Sequence, residues 1–85
     1  MKSILSKHAE IEMHRRNIEE KNVLAVIRSP QQKFKNEDKW VYQSKYFDKH
    51  LKKEMLLRIF VKEDLKSSKV ITLYKTSKIN KYWRT

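Results

Sequence analysis

The chain is 85 residues long, and its 21 Lys and Arg against 10 Asp and Glu give a formal net charge of +11. One small basic domain over residues 1–85 fits that length; it buries only roughly 60–65% of the surface its unfolded chain exposes, which leaves no room for a large cofactor pocket. Cysteine and glycine are both absent, and with them disulfides, thiolate metal sites, thiol nucleophiles and glycine-rich phosphate loops. No stretch approaches the ~20 apolar residues of a membrane span, and Glu10 and Glu12 interrupt the N-terminal segment before any leader-like apolar run. The expectation is a cytoplasmic protein with no membrane contact and no cofactor.

The charge is unevenly spread. Residues 1–38 hold 8 basic and 6 acidic side chains, and residues 39–85 hold 13 and 4, so the second part carries +9. Such a field draws polyanions over about a Debye length, and admits nucleic acid, an acidic protein or an anionic membrane as ligand.

In chain order, Ser6 is placed to cap a first helix that runs to about Arg16, with Leu5, Ala9 and Met13 recurring on one face. Asn17 tolerates the left-handed conformation that closes a helix. Glu19 and Glu20 then suit the positive end of a second helix, whose face is Val23, Leu24 and Ile27 and which Ser29-Pro30 stops. Gln31 to Lys39 reads as a loop or a frayed first strand, and Trp40 to Gln43 as the start of a sheet. Tyr46 to Lys53 fits either a hairpin loop or ragged strand ends. Met55 to Lys62 is mostly apolar on both faces, which predicts a central strand. After a polar turn at Asp64 to Ser68, Val70 to Thr76 sets Val70, Thr72, Tyr74 and Thr76 against Ile71, Leu73 and Lys75. Ile79, Tyr82 and Trp83 give the tail enough apolar bulk to pack on the sheet. The fold class is therefore α+β, with two N-terminal helices on one face of an antiparallel sheet of three to four strands and the other face left for function.

Two stretches carry a resemblance as a pair: Ser6-Lys7-His8-Ala9 with Met13, Arg16, Asn17, Ile18 and Pro30, and Tyr74-Lys75-Thr76-Ser77-Lys78-Ile79 with Lys81, Tyr82 and Trp83. The pair resembles a prokaryotic domain-of-unknown-function family that is similar to the BrnT toxins. That family is grouped with the barnase, EndoU, colicin and RelE fold, which also holds the ParE toxins. Glu12 stands where the family often has Arg, and Asn17 where it has Gly. The resemblance implies a RelE/ParE/BrnT-like fold and a small toxin encoded beside an antitoxin, whose better-known relatives cleave RNA without a metal. Fold membership does not fix activity, because the group also contains gyrase inhibitors.

Metal-free RNA cleavage needs a base for the 2′-hydroxyl, cations for the phosphate and an acid for the leaving 5′-oxygen. His8, in the first helical turn, is the candidate base or acid, and Glu12 one turn on is its candidate orienting carboxylate. Arg16 either reaches phosphate or pairs with Glu12 or Glu20. Arg58, inside the most apolar strand, either pairs with a carboxylate or is aimed across the sheet face at phosphate. Lys75 and Tyr82 complete the catalytic candidates. Thr72, Tyr74 and Thr76 share one strand face as candidate RNA contacts, with Lys78 and Lys81 where that strand ends. Tyr42, Tyr46 and Phe47, near Lys45 and Lys49, form either a stacking platform for unpaired bases or part of the core. His8, Glu12 and His14 do not share a helical face well enough to hold a metal. The leading expectation is a toxin-type endoribonuclease with RNA as substrate and an acidic antitoxin as partner; the alternative is a non-catalytic module that binds nucleic acid or protein.

Overall fold

A computed structural model of the chain describes residues 2–85, with side chains from Leu5 onward. Ser6 organises the N-terminal end. Its N–H donates to the Val70 carbonyl at 3.0 Å, its Oγ accepts from the Ala9 N–H and donates to the Ile71 carbonyl, both at 3.0 Å, and it thereby caps α1 (Lys7–Arg15) while tying it to the sheet. The helix ends in a Schellman motif: Asn17 at φ 54° lets its own N–H reach the His14 carbonyl and the Ile18 N–H reach the Met13 carbonyl. Met13 and Ile18 are both buried there. Helix α2 (Glu20–Arg28) follows and stops before Pro30. Its buried residues are Val23 and Val26, whereas Leu24, expected in the core, is exposed. The short helix turns Val26 rather than Leu24 toward the sheet, three residues on from Val23.

Five strands form one sheet in the order β1-β5-β4-β3-β2: β1 (Lys2–Leu5), β2 (Gln32–Asn36), β3 (Lys39–Asp48), β4 (Lys53–Glu63) and β5 (Ser67–Thr76). Strands β2 to β5 are antiparallel, matching the upper end of the expected three to four. Strand β1 adds a fifth, parallel to β5. It is an edge strand of four residues whose partner lies more than sixty positions away, so nothing in its local sequence announces it. Within segment 31–39, Gln32–Asn36 forms β2, and β3 extends through Tyr46 and Phe47 to Asp48.

The doubly apolar β4 is central, as its composition requires. Leu57, Ile59 and Val61 join Ala9, Met13, Ile18, Val23, Val26, Tyr42, Val70 and Leu73 in the core under the helices. The alternation along β5 is broken once: Phe60 pairs with Thr72 and Val61 with Val70, which leaves Ile71 as an extra residue. That bulge resets the phase. Val70 lies on the helix face with Leu73 and Lys75, and of the residues expected to share its face Thr72, Tyr74 and Thr76 look the other way. The second face is not left open. The tail, with its short helix α3 (Ile79–Tyr82), folds across it. No helix among the described residues is long and apolar enough to cross a membrane.

Candidate functional site

The tail is pinned to the sheet by two glutamines on adjacent strands. Gln32 on β2 and Gln43 on β3 pair in register. Gln32 Oε1 accepts from the Arg84 N–H at 3.0 Å and its Nε2 donates to the Arg84 carbonyl. Gln43 Nε2 donates to Gln32 Oε1 at 2.6 Å and to the Tyr82 carbonyl at 3.1 Å. Cation–π contacts finish the seal, with Arg84 Cζ 3.8 Å from the Phe34 ring centroid and Lys45 Nζ 4.2 Å from that of Trp83.

Beneath the tail lies Arg58, 8% exposed and in register with Gln43 on one side and Tyr74 on the other. Its Nε donates to Gln43 Oε1 and its Nη1 to the Tyr74 hydroxyl, each at 2.8 Å. The rings of Tyr82, Phe60 and Tyr74 surround the guanidinium at 4.4, 5.4 and 5.8 Å from Cζ. Among the described residues no carboxylate pairs with it. A buried cation is ordinarily neutralised by a partner charge. Two of its N–H groups are bonded, and among the described residues no fully buried side-chain nitrogen or oxygen lacks a partner. The Nη2 end of the guanidinium makes no such bond and is therefore not wholly closed off by protein.

Tyr82 lies over this cation. The neighbouring Tyr74 hydroxyl holds the Tyr82 phenol below its ordinary range, assisted by the charges of Lys81 and Arg58. Lys81 Nζ stands 5.4 Å from the Tyr82 ring centroid. Next to these groups an open cleft is lined by Lys45, Lys78 and Lys81 together with Glu54, Ser77 and Asn80. The Lys78 N–H donates to Thr76 Oγ1 at 3.0 Å, which turns the chain from β5 into α3.

The sequence candidates thus separate onto two faces. Arg58, Thr72, Tyr74, Thr76, Lys78, Lys81 and Tyr82 belong to the tail side. His8 and Glu12 belong to α1, and Arg16 to its C-cap, on the helix side. Glu12 does not orient His8: its Oε1 accepts from Arg16 Nε at 3.0 Å and its Oε2 from Arg15 Nη1 at 3.1 Å, and the Arg16 bond together with the two charges holds its carboxyl below the usual range. Arg16 is correspondingly committed to Glu12. Lys75 is withdrawn too, because Leu73 and Lys75 share the helix face; its Nζ donates to Asp48 Oδ2 at 2.6 Å in a pair almost closed to solvent. Tyr42 and Tyr46 are not a stacking platform either. They lie on the helix face, bonded through their hydroxyls to Glu63 and Asp48, and only Phe47 is exposed. Sequence reasoning missed Gln32 and Gln43, since a glutamine alternating with apolar strand residues looks like an ordinary polar position.

A family model described as Domain of unknown function (DUF4258) matches residues 5–75, from the end of β1 almost to the end of β5. The chain belongs to this family. The matched stretch of the DUF4258 domain holds Gln43, Arg58 and Tyr74 and stops short of Tyr82. No curated protein and no solved structure matches the chain. Among the described residues no group of three or more His, Asp or Glu side chains is arranged to hold a metal ion.

Proposed function

We propose that the chain is a metal-independent endoribonuclease of toxin type with the fold of the BrnT and RelE-like toxins, and that the tail-covered face of its sheet is the active site. One observation carries the reading: Arg58 is buried, charged and uncompensated by any described carboxylate, with its Nη2 end unbonded beneath Tyr82. An RNA phosphate supplies the missing anion. The Tyr82 phenolate takes the 2′-hydroxyl proton as the 2′-oxygen bonds to phosphorus. Arg58 stabilises the extra charge on the phosphate oxygens, and Lys81 donates the proton that the 5′-oxygen takes as its bond to phosphorus breaks. The products are a 2′,3′-cyclic phosphate and a 5′-hydroxyl end, and no water is consumed. Lys45 and Lys78 hold the flanking phosphates in the cleft. A chain of charge +11 also suits an acidic antitoxin as its protein partner in the cytoplasm.

The test is cleavage of RNA by purified protein in chelator, comparing wild type, Tyr82→Phe and His8→Ala. Loss of cyclic-phosphate ends in Tyr82→Phe while His8→Ala still cleaves supports the site. Loss in His8→Ala alone returns the chemistry to the helix face, and intact RNA with wild-type protein, with growth arrest on expression, points to inhibition of another enzyme by binding.

A further inference from the structure

The uncompensated state of Arg58 depends on one residue that no sequence motif singled out. Gln43 is fully buried, in register with Arg58, and uses both ends of its amide. Because a guanidinium only donates, the oxygen must be the end that faces Arg58 Nε, at 2.8 Å, and this leaves the NH2 group for Gln32 Oε1 at 2.6 Å and the Tyr82 carbonyl at 3.1 Å.

We infer that Gln43 is a positioning residue that fixes Arg58 and the Tyr82 backbone to each other while leaving the Arg58 charge unneutralised for a phosphodiester. No other side chain of this size does both. Glutamate would accept from Arg58 but would cancel its charge and offer no N–H to the Tyr82 carbonyl; a hydrocarbon of the same length would spare the charge but hold neither group. The burial of an amide where a carboxylate would complete a salt bridge is thus a feature of the site. This inference rests on the reading of the tail-covered face as the RNA site, and its test separates the two.

The affinity of full-length wild type, Gln43→Glu, Gln43→Met and Arg58→Gln is measured for a fluorescein-labelled 2′-O-methyl oligoribonucleotide, which lacks the attacking hydroxyl. Thermal melting, and kcat and KM on the corresponding cleavable RNA, are measured alongside. Gln43→Glu is expected to stay folded and to bind at least about tenfold more weakly, close to Arg58→Gln, because the site then carries its own anion. Gln43→Met is expected to bind within about threefold of wild type with kcat reduced about tenfold or more, since the phosphate is still attracted but not held in register with Tyr82. A folded Gln43→Glu that binds as tightly as wild type overturns the inference. So does a Gln43→Met that loses affinity as fully as Arg58→Gln, and this second comparison decides the matter if Gln43→Glu does not fold. If Arg58→Gln itself binds and cleaves as wild type does, the face is not the RNA site and the role assigned to Gln43 falls with it.

Discussion

Tyr74 and Lys75 are adjacent in the chain and stand on opposite sides of the sheet. The Tyr74 hydroxyl accepts from Arg58 Nη1 at 2.8 Å on the tail side, and Lys75 Nζ donates to Asp48 Oδ2 at 2.6 Å on the helix side. The strand's two-residue period forces this division, so a lysine and a tyrosine that look like one basic-aromatic motif belong to different structures. One borders the proposed site, and the other locks the end of the sheet near the Asn17 turn, where Lys75 also reaches the Asn17 carbonyl at 3.4 Å.

Lys75→Met is therefore expected to act on stability. Asp48 is buried, and removing its cation leaves an uncompensated carboxylate, a change that costs about 3 kcal/mol in such settings. Urea unfolding followed by circular dichroism reads this directly. Oligonucleotide affinity of the folded variant is expected to stay within about twofold of wild type, because the two faces share no partner.

The same pair makes the protein acid-sensitive. Burial pushes the Asp48 carboxyl up, but the Lys75 and Leu51 hydrogen bonds, the Lys75 charge and the Tyr46 hydroxyl outweigh it and bring it to about 2, from 3.8 for the free side chain. Between those values the unfolded chain binds more protons than the folded one, so Asp48 contributes stability that is fully present above about pH 4 and is lost as the pH falls toward 2. Unfolding free energy from urea denaturation at a series of pH values should fall through that window in wild type. Asp48→Asn should be less stable at neutral pH and show a shallower slope there.

Asn17 offers a test of local backbone chemistry. Its φ of 54° is a region that glycine enters freely, asparagine tolerates and alanine resists. Asn17→Ala should lower stability by about 1 kcal/mol, whereas Asn17→Gly should leave it within about 0.5 kcal/mol of wild type. A loss of equal size in both variants would mean that the Asn17 side chain, rather than its φ, closes the helix.

Much of this architecture was legible because the signals were local. Ser6 as a cap, Asn17 as a left-handed closure, Pro30 as a stop and the mostly apolar Met55 to Lys62 as a central strand each act within a few residues. The site was legible in part. Arg58 was notable as a cation in an apolar strand, and Tyr74, Lys81 and Tyr82 followed from the C-terminal pattern. What was not legible depends on distant pairing. Strand β1 needs β5, the Ile71 bulge shows only in the β4–β5 register, and Gln32 and Gln43 acquire meaning only once the tail lies across them. His8 and Glu12 were joined by helical spacing, but the arginines at positions 15 and 16 outcompete the histidine for that carboxylate.

Tyr46 and Tyr82 should titrate in an order set by their surroundings. Tyr46 is pushed above the ordinary phenol range, first by burial and then by the Asp48 charge beside it. Tyr82 is moved the other way, first by the Tyr74 hydroxyl and then by Lys81 and Arg58, so it ionises before Tyr46. Monitoring phenolate absorbance during an alkaline titration of folded protein should show one early step that is missing in Tyr82→Phe. The step should shift to higher pH in Arg58→Gln, which removes one stabilising charge and loosens the Tyr74 hydroxyl. If Tyr82 is the base, the cleavage rate rises with pH and levels off at the pH of that same step, and in Arg58→Gln the levelling point moves upward with it. A rate profile that levels off elsewhere, with the absorbance step unmoved, would assign the proton transfer to another group.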